Sequence, residues 1–123
     1  MAKPPEPLAE LIPAANLIVV AVVVAVLWVG PKPPPPPAAE ELGRGATSVG
    51  YRSPAQKVRL KIEKTLLGKA KSVEIEVEKP EAGYLLDVGH RGPFFIDKDG
   101  KIIGRYGPDT HREEAILKAL RGN

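Results

Sequence analysis

Residues 11–29 read LIPAANLIVVAVVVAVLWV, an uncharged run in which Asn16 is the only polar side chain. At ~1.5 Å per residue, a helix of this length measures roughly 28 Å, close to the ~30 Å hydrocarbon core of a bilayer. Lipid offers no partners for backbone N–H and C=O groups, so a single segment crossing it must be helical. The run therefore predicts one membrane-spanning helix over residues 11–30.

The flanks of the run favour an anchor that stays in the protein. Gly30 and Pro31 would end the helix, and the indole of the preceding tryptophan suits the membrane interface. The predicted anchor residues are Leu11, Val20, Trp28 and Val29. A cleavable signal peptide is the alternative, but such a peptide has a basic start and a shorter apolar run, whereas Glu6 and Glu10 lie here.

A proline-rich segment follows the apolar run. Residues 31–50 read PKPPPPPAAEELGRGATSVG, and consecutive prolines favour a stiff polyproline II rod. We interpret the segment as a spacer; the alternative is a ligand for a proline-binding module. With residues 1–10 as a short N-terminal tail, residues 51–123 remain as one small domain.

The amino-acid composition excludes several kinds of catalytic and metal site. The chain has no cysteine, two histidines and a formal net charge of +3, which excludes disulfides, thiol catalysis and cysteine-based zinc sites. We expect no catalytic residues, no metal site and no cofactor. Basic residues precede acidic ones along the domain and the few aromatic residues are expected in the core, so nucleic acid is not an expected partner.

Two segments alternate with period two and predict strands. They are KVRLKIE at residues 57–63 and SVEIEVE at residues 72–78, joined by a hairpin loop at 67–71. One outward face is basic and the other acidic, so antiparallel pairing would set cations beside anions.

The remaining elements follow from turn and cap signals. Residues 84–88 predict a third strand, and residues 94–97 and 101–106 flank an Asp-Gly turn at Gly100 and predict two more. Asp97 and Asp99 resemble the nucleophile motif of haloacid-dehalogenase-type phosphatases, but too few residues follow them for the rest of that site. Thr110 and Glu113 predict a capping box for a C-terminal helix.

These elements predict a mainly β fold: a five-stranded antiparallel OB-like barrel with a C-terminal helix, behind the single transmembrane helix. One shared core is expected, formed by Val58, Leu60, Ile62, Val73, Ile75, Val77, Phe95, Ile102, Ile116 and Leu120.

The domain resembles the netrin-like domain of netrins and tissue inhibitors of metalloproteinases. The resemblance lies in VRLKIEKTLLGKAKSVEIEVEKP and GYLLDVGHRGPFFIDKDGKIIGRYGP, and spans about Val58 to Leu120. It implies an OB-type barrel. Metalloproteinase inhibition in that family depends on an N-terminal cysteine and disulfides, which are absent here, so that activity is not implied.

A second resemblance covers the last third alone. GPFFIDKDGKIIGRYGPDTHREEAILKAL is similar to the C-terminal strand-turn-strand-helix of thioredoxin-like proteins, which would make Pro93 a cis-proline. The missing redox cysteines and the alternating residues 58–77 favour the barrel.

We therefore predict a single-pass membrane protein that presents a small, non-catalytic, extracytoplasmic domain. Its expected partners are the lipid bilayer and another membrane or envelope protein. The basic residues flanking the run do not decide its orientation, which rests on the netrin-like resemblance and the spacer. The candidate binding surface is Tyr84, His90, Arg91 and Tyr106. The alternative function is a thioredoxin-like, membrane-anchored accessory protein without redox cysteines.

Overall fold

The computed structural model describes residues 6–31, 53–104, 106–108 and 110–122. Its elements, in chain order, are α1 (Leu8–Ala14), β1 (Leu17–Val29), β2 (Gln56–Leu67), β3 (Glu74–Lys79), β4 (Arg91–Ile96) and α2 (Glu113–Gly122). The predicted mainly β fold with a C-terminal helix is confirmed. The predicted spacer after Pro31 and the first five residues of the predicted tail lie outside the described residues.

The prediction of a transmembrane helix is wrong. Most of the apolar run is β1, a 13-residue strand, which lies between β2 and β4 and pairs antiparallel with both. In the part of the chain that the structure describes, no helix is both long and apolar enough to span a bilayer. Eight of the thirteen β1 residues are Val or Ile, whose branched side chains favour strands over helices.

From Leu17 to Val23, β1 is apolar on both faces because both faces are covered there. Leu17, Val19, Ala21 and Val23 pack on one side with residues of β2, β3 and β4. On the other side Ile18 packs with α1 and α2 in a second cluster. A strand buried on both faces shows a continuous apolar run in place of alternation, which is why the run imitates a membrane helix.

The prediction of one shared core is wrong, because the structure has two apolar clusters. Phe95 and Ile116 are buried there with Leu11, and Leu120 packs against them, whereas the other buried members of the predicted core lie in the first cluster. Val73 belongs to neither cluster, because it precedes β3 and is exposed.

The predicted pairing of the two alternating strands is confirmed. β2 and β3 are antiparallel, with Lys57 opposite Glu78, Arg59 opposite Glu76 and Lys61 opposite Glu74. Arg59 Nη2 lies 3.0 Å from Glu76 Oε2. Both side chains are exposed, so this pair selects the register more than it stabilises the fold.

The sheet has the strand order β3-β2-β1-β4, which is the Greek-key order. Residues 84–88 are irregular and end in a turn, so the strand predicted there is wrong. In place of a strand over 101–106, the structure has two isolated bridges: Lys101 pairs in parallel with Glu78, and Ile102 antiparallel with Ile96.

The Asp-Gly turn forms as predicted, but the capping box does not. Asp97 Oδ1 accepts hydrogen bonds from the backbone N–H groups of Asp99 and Lys101 at 2.9 and 3.0 Å, and Gly100 has a φ of +79°. Thr110 Oγ1 instead donates to Gly107 O at 2.7 Å, because α2 begins only at Glu113.

Candidate functional site: the apolar end of β1

Four β-bulges shape the long β1–β2 ribbon. The pairing of the two strands skips Glu63 and Leu66 on β2, and Val24 and Leu27 on β1. Each skipped residue is an extra residue that bends its strand and redirects a side chain. The ribbon is therefore bent locally at four places.

The two extra residues on β2 both have partners inside the molecule. Glu63 Oε1 accepts a hydrogen bond from Arg91 Nε at 2.6 Å, across the outer face of β1. Leu66 packs against the cluster beneath α1 and α2. Each bulge on β2 therefore places a side chain in a contact within the molecule.

The two extra residues on β1 point outward instead. Val24 is 37% exposed and Leu27 is 41% exposed, and the next residues, Trp28 and Val29, are 53% and 51% exposed. Beyond Val23, β4 no longer accompanies β1. Four large apolar side chains in six consecutive residues therefore face solvent at this end of the strand.

The loop of residues 84–89 runs beside this end of β1. Gln56, which is paired with Val29, donates from Nε2 to Leu86 O at 2.8 Å and accepts from Leu86 N at 2.9 Å. At the other end of the loop, Gly89 N donates to Val23 O at 2.8 Å. Leu86 is buried, whereas Leu85 and Val88 are exposed.

These exposed side chains all lie on the last six residues of β1 or on the adjoining loop, and together they are called here the apolar end. Its members are Val24, Leu27, Trp28, Val29, Leu85 and Val88. Single exposed apolar residues are common, but several on adjoining segments are typical of interaction surfaces.

A buried lysine fixes the start of the loop beside the apolar end. Lys79 is fully buried, and its Nζ donates to Ser53 Oγ at 3.0 Å, Pro54 O at 3.0 Å and Pro80 O at 3.1 Å. Ser53 Oγ in turn hydrogen-bonds to Tyr84 O. This group, the Lys79 clip, joins the chain just before β2 to the chain just after β3.

The ionisation of the Lys79 clip is shifted by its surroundings. Burial lowers the pKa of Lys79 to about 8, although the carboxylate of Glu81 opposes the shift. The lysine Nζ lies 5.1 Å from the centre of the Tyr84 ring, which favours the cation. Burial, and then the charge of Glu6, raise the pKa of Tyr84 above its ordinary range.

The distance between Ser53 and Lys79 is that of a serine–lysine pair in some hydrolases. Both residues are fully buried, and the three protons of the lysine amine all have acceptors. No substrate can reach the serine in this arrangement, so the clip holds the backbone together.

The residues of the predicted binding surface are only partly brought together. Tyr84 and Tyr106 line a small cavity of about 20 Å³ together with His111. Gly107 lies against the rings of Tyr84 and His90, which an added Cβ would approach to 3.3 and 3.5 Å. Arg91 is elsewhere, in its ion pair with Glu63.

The residues predicted as a membrane anchor fall into two groups. Leu11 and Val20 are buried, in α1 and β1 respectively, whereas Trp28 and Val29 belong to the apolar end. Sequence alternation could have revealed Lys79, because Ile75, Val77 and Lys79 share one face of β3. No sequence signal separates the bulged Val24 and Leu27 from the rest of the run.

Within the described residues, no group of three His, Asp or Glu side chains is arranged to hold a metal ion. Comparison of the chain with protein families, with curated proteins and with solved structures gives no match.

Proposed function

We propose that this protein is a non-catalytic protein-interaction domain whose binding surface is the apolar end of β1. The observation that carries the proposal is the contrast between the bulges. Glu63 and Leu66 on β2 have partners within the molecule, whereas Val24 and Leu27 on β1 project outward as exposed apolar side chains. Water disfavours such a surface, and a protein partner would cover it.

The form of the surface supports a macromolecular partner. The apolar end consists of side chains along a strand and an adjoining loop, and Trp28 is of a residue type enriched in binding hot spots. The cavity lined by Tyr84 and Tyr106 has a volume of about 20 Å³, which is room for a water molecule. Larger grooves of about 480 and 540 Å³ lie between α1 and α2 and beside the β2–β3 loop.

The backbone connections support an OB-type barrel as the scaffold of this surface. Ile102 N donates to Glu78 O at 2.7 Å, and Ile103 N donates to Phe95 O at 2.9 Å. In the proposed architecture, these residues are a short fifth strand that joins β3 to β4 and completes a partly open Greek-key barrel. A netrin-like relationship is part of the same proposal.

Two earlier expectations are not part of this proposal. The residues predicted to anchor the chain form β1, so no membrane-spanning helix is included. The thioredoxin-like alternative needs a strand-helix-strand unit starting near Val58, but β2 runs directly into an antiparallel pairing with β3. Pro93 follows a trans peptide bond, unlike the cis-proline of that family resemblance.

Photo-crosslinking in the protein's own cells tests the proposal. A photoreactive phenylalanine analogue replaces Val88 in the apolar end or, as a matched control, Val73, since the two side chains are 61% and 62% exposed. We expect discrete protein adducts from position 88, lost when Trp28→Asp is added, and none from position 73. Equal adducts from both positions, no adducts, or adducts unaffected by Trp28→Asp would contradict the proposal.

A further inference from the structure

We propose that Gln56 is the positioning residue of the apolar end: by pairing with both backbone groups of Leu86, it determines which side chains of residues 84–89 face a partner. The inference rests on the proposed function and concerns how the same surface is presented. Gln56 is itself buried and does not belong to the apolar end, so it acts through the loop.

The side chain of Gln56 takes the place of a strand partner for the loop. Its Nε2 donates to Leu86 O at 2.8 Å, and its Oε1 accepts from Leu86 N at 2.9 Å. A primary amide carries a donor and an acceptor side by side, which matches the N–H and C=O groups of a single residue. Both hydrogen bonds are buried, so a donor or acceptor left unpaired there would be costly.

This pairing fixes which loop residue faces the core. Leu86 is 2% exposed and packs in the first cluster, whereas Leu85 is 49% exposed and Val88 is 61% exposed. If the loop moved by one residue, either Leu85 or the exposed Asp87 would lie against Gln56 instead. The first change would bury a member of the apolar end, and the second would bring a carboxylate to the core.

Gln56 also links the loop to the β1 part of the apolar end. In the sheet it lies between Lys79 on β3 and Val29 on β1. Lys79 belongs to the clip that holds the start of the loop, and Val29 is a member of the apolar end. A loop that left Gln56 would therefore change its position relative to Val29.

The other anchors of the loop act at its two ends. Tyr84 O is bonded to Ser53 Oγ in the Lys79 clip, and Gly89 N donates to Val23 O at 2.8 Å. Gln56 holds the middle, where Leu85 and Val88 flank Leu86 and Asp87. A substitution at Gln56 therefore changes the loop between fixed ends and leaves every residue of the apolar end in the chain.

Photo-crosslinking from position 88 tests the inference in two Gln56 variants of the full chain. Gln56→Met removes both hydrogen bonds at similar side-chain length, and Gln56→Glu keeps the acceptor while removing the donor. The adduct yield per folded protein should fall at least about 10-fold in both variants. Ile116→Ala, a cavity in the second cluster, is the matched destabilised control and should keep the wild-type yield.

Amide hydrogen exchange measured by NMR on the same chains reports the loop directly. The Leu86 N–H should exchange at least about 10-fold faster in Gln56→Met, while the N–H of Leu60, on β2 between two paired strands, stays protected and shows that the chain is folded. If Gln56→Met does not fold, Gln56→Glu provides both measurements.

Three results would overturn the inference. Adducts that persist in the Gln56 variants would show that the loop position is not needed, and unchanged exchange at Leu86 would show that Gln56 does not hold the loop. An equal loss of adducts in Ile116→Ala would make the effect one of stability alone. If the chain with native Gln56 gives no adducts from position 88, the proposed function itself fails, so the two failures are distinguishable.

Discussion

At the scale of single residues, Lys79 shows how a buried charge is tolerated. Its amine has three acceptors, and all three are oxygens of chain segments that would otherwise separate at the end of β3. The removal of water from the amine still disfavours the charged form, so the pKa of Lys79 falls to about 8. The clip therefore ties the segment before β2 to the segment after β3, and the free-energy cost of burying its charge depends on pH.

Stability should rise between pH 8 and 10 because of this lysine. The unfolded chain binds the proton up to about pH 10.5, whereas the folded chain releases it near pH 8, so folding becomes more favourable as pH rises through that window. Tyr84 acts in the opposite direction only above its ordinary pKa of 10.0. Urea unfolding should show a gain of about 1–2 kcal/mol.

The Lys79→Met variant identifies the source of this pH dependence. It should lose about 1–3 kcal/mol at pH 7, because the buried Ser53 Oγ and two partly buried carbonyl oxygens lose their donor, and its stability should no longer rise between pH 8 and 10. Lys61→Met, an exposed lysine on β2, is the control and should keep the wild-type rise. A rise retained in Lys79→Met would assign the effect to another group.

Two glycines have similar backbone angles but different surroundings, so Gly→Ala variants at the two positions distinguish the cost of backbone strain from the cost of steric contact. Gly68 has a φ of +82° and Gly100 a φ of +79°. A Cβ on Gly68 would lie 2.4 Å from Asn16 O, whereas a Cβ on Gly100 would meet nothing within 4 Å. Gly100→Ala should cost about 1–2 kcal/mol from strain alone, and Gly68→Ala at least 1 kcal/mol more. Equal losses in thermal melts would show that β2 does not end against the start of β1.

At the scale of elements, the sequence predicts what depends on local pattern. The alternation of β2 and β3 and the Asp97 turn are predictable because each is decided by neighbouring residues. β1 is not, since an apolar run buried on both faces by distant segments looks the same as a membrane helix. Its richness in valine was the available signal. The bulges at Val24 and Leu27, and so the apolar end, depend on pairing that only the folded chain shows.

The attachment of α2 to the sheet should depend on burial more than on charge. Ile116 is fully buried in the second cluster, so Ile116→Ala should cost about 2–5 kcal/mol. Lys64 Nζ lies 2.6 Å from Glu113 Oε2 on an exposed face, so Lys64→Ala should cost less than about 1 kcal/mol. Denaturant unfolding measures both, and a reversed ranking would mean that the ion pair holds the helix.

At the scale of the whole molecule, β1 is the element that contacts both neighbouring strands and both apolar clusters. It pairs with β2 along its length and with β4 over its first half, separates the two apolar clusters, and ends in the apolar end. Fold and proposed function therefore share one element. A change in the conformation of residues 17–29 would remove the sheet, both cores and the interaction surface together.

The most direct test is therefore the conformation of residues 17–29 in the full chain, measured by NMR in aqueous buffer without detergent. The structure predicts strand-like carbon chemical shifts over this segment, with cross-strand contacts from Val20 to Lys64 on β2 and to Pro93 on β4. Helical shifts with contacts between residues three and four apart would contradict the account, because they would restore the apolar run as a helix and remove the central strand.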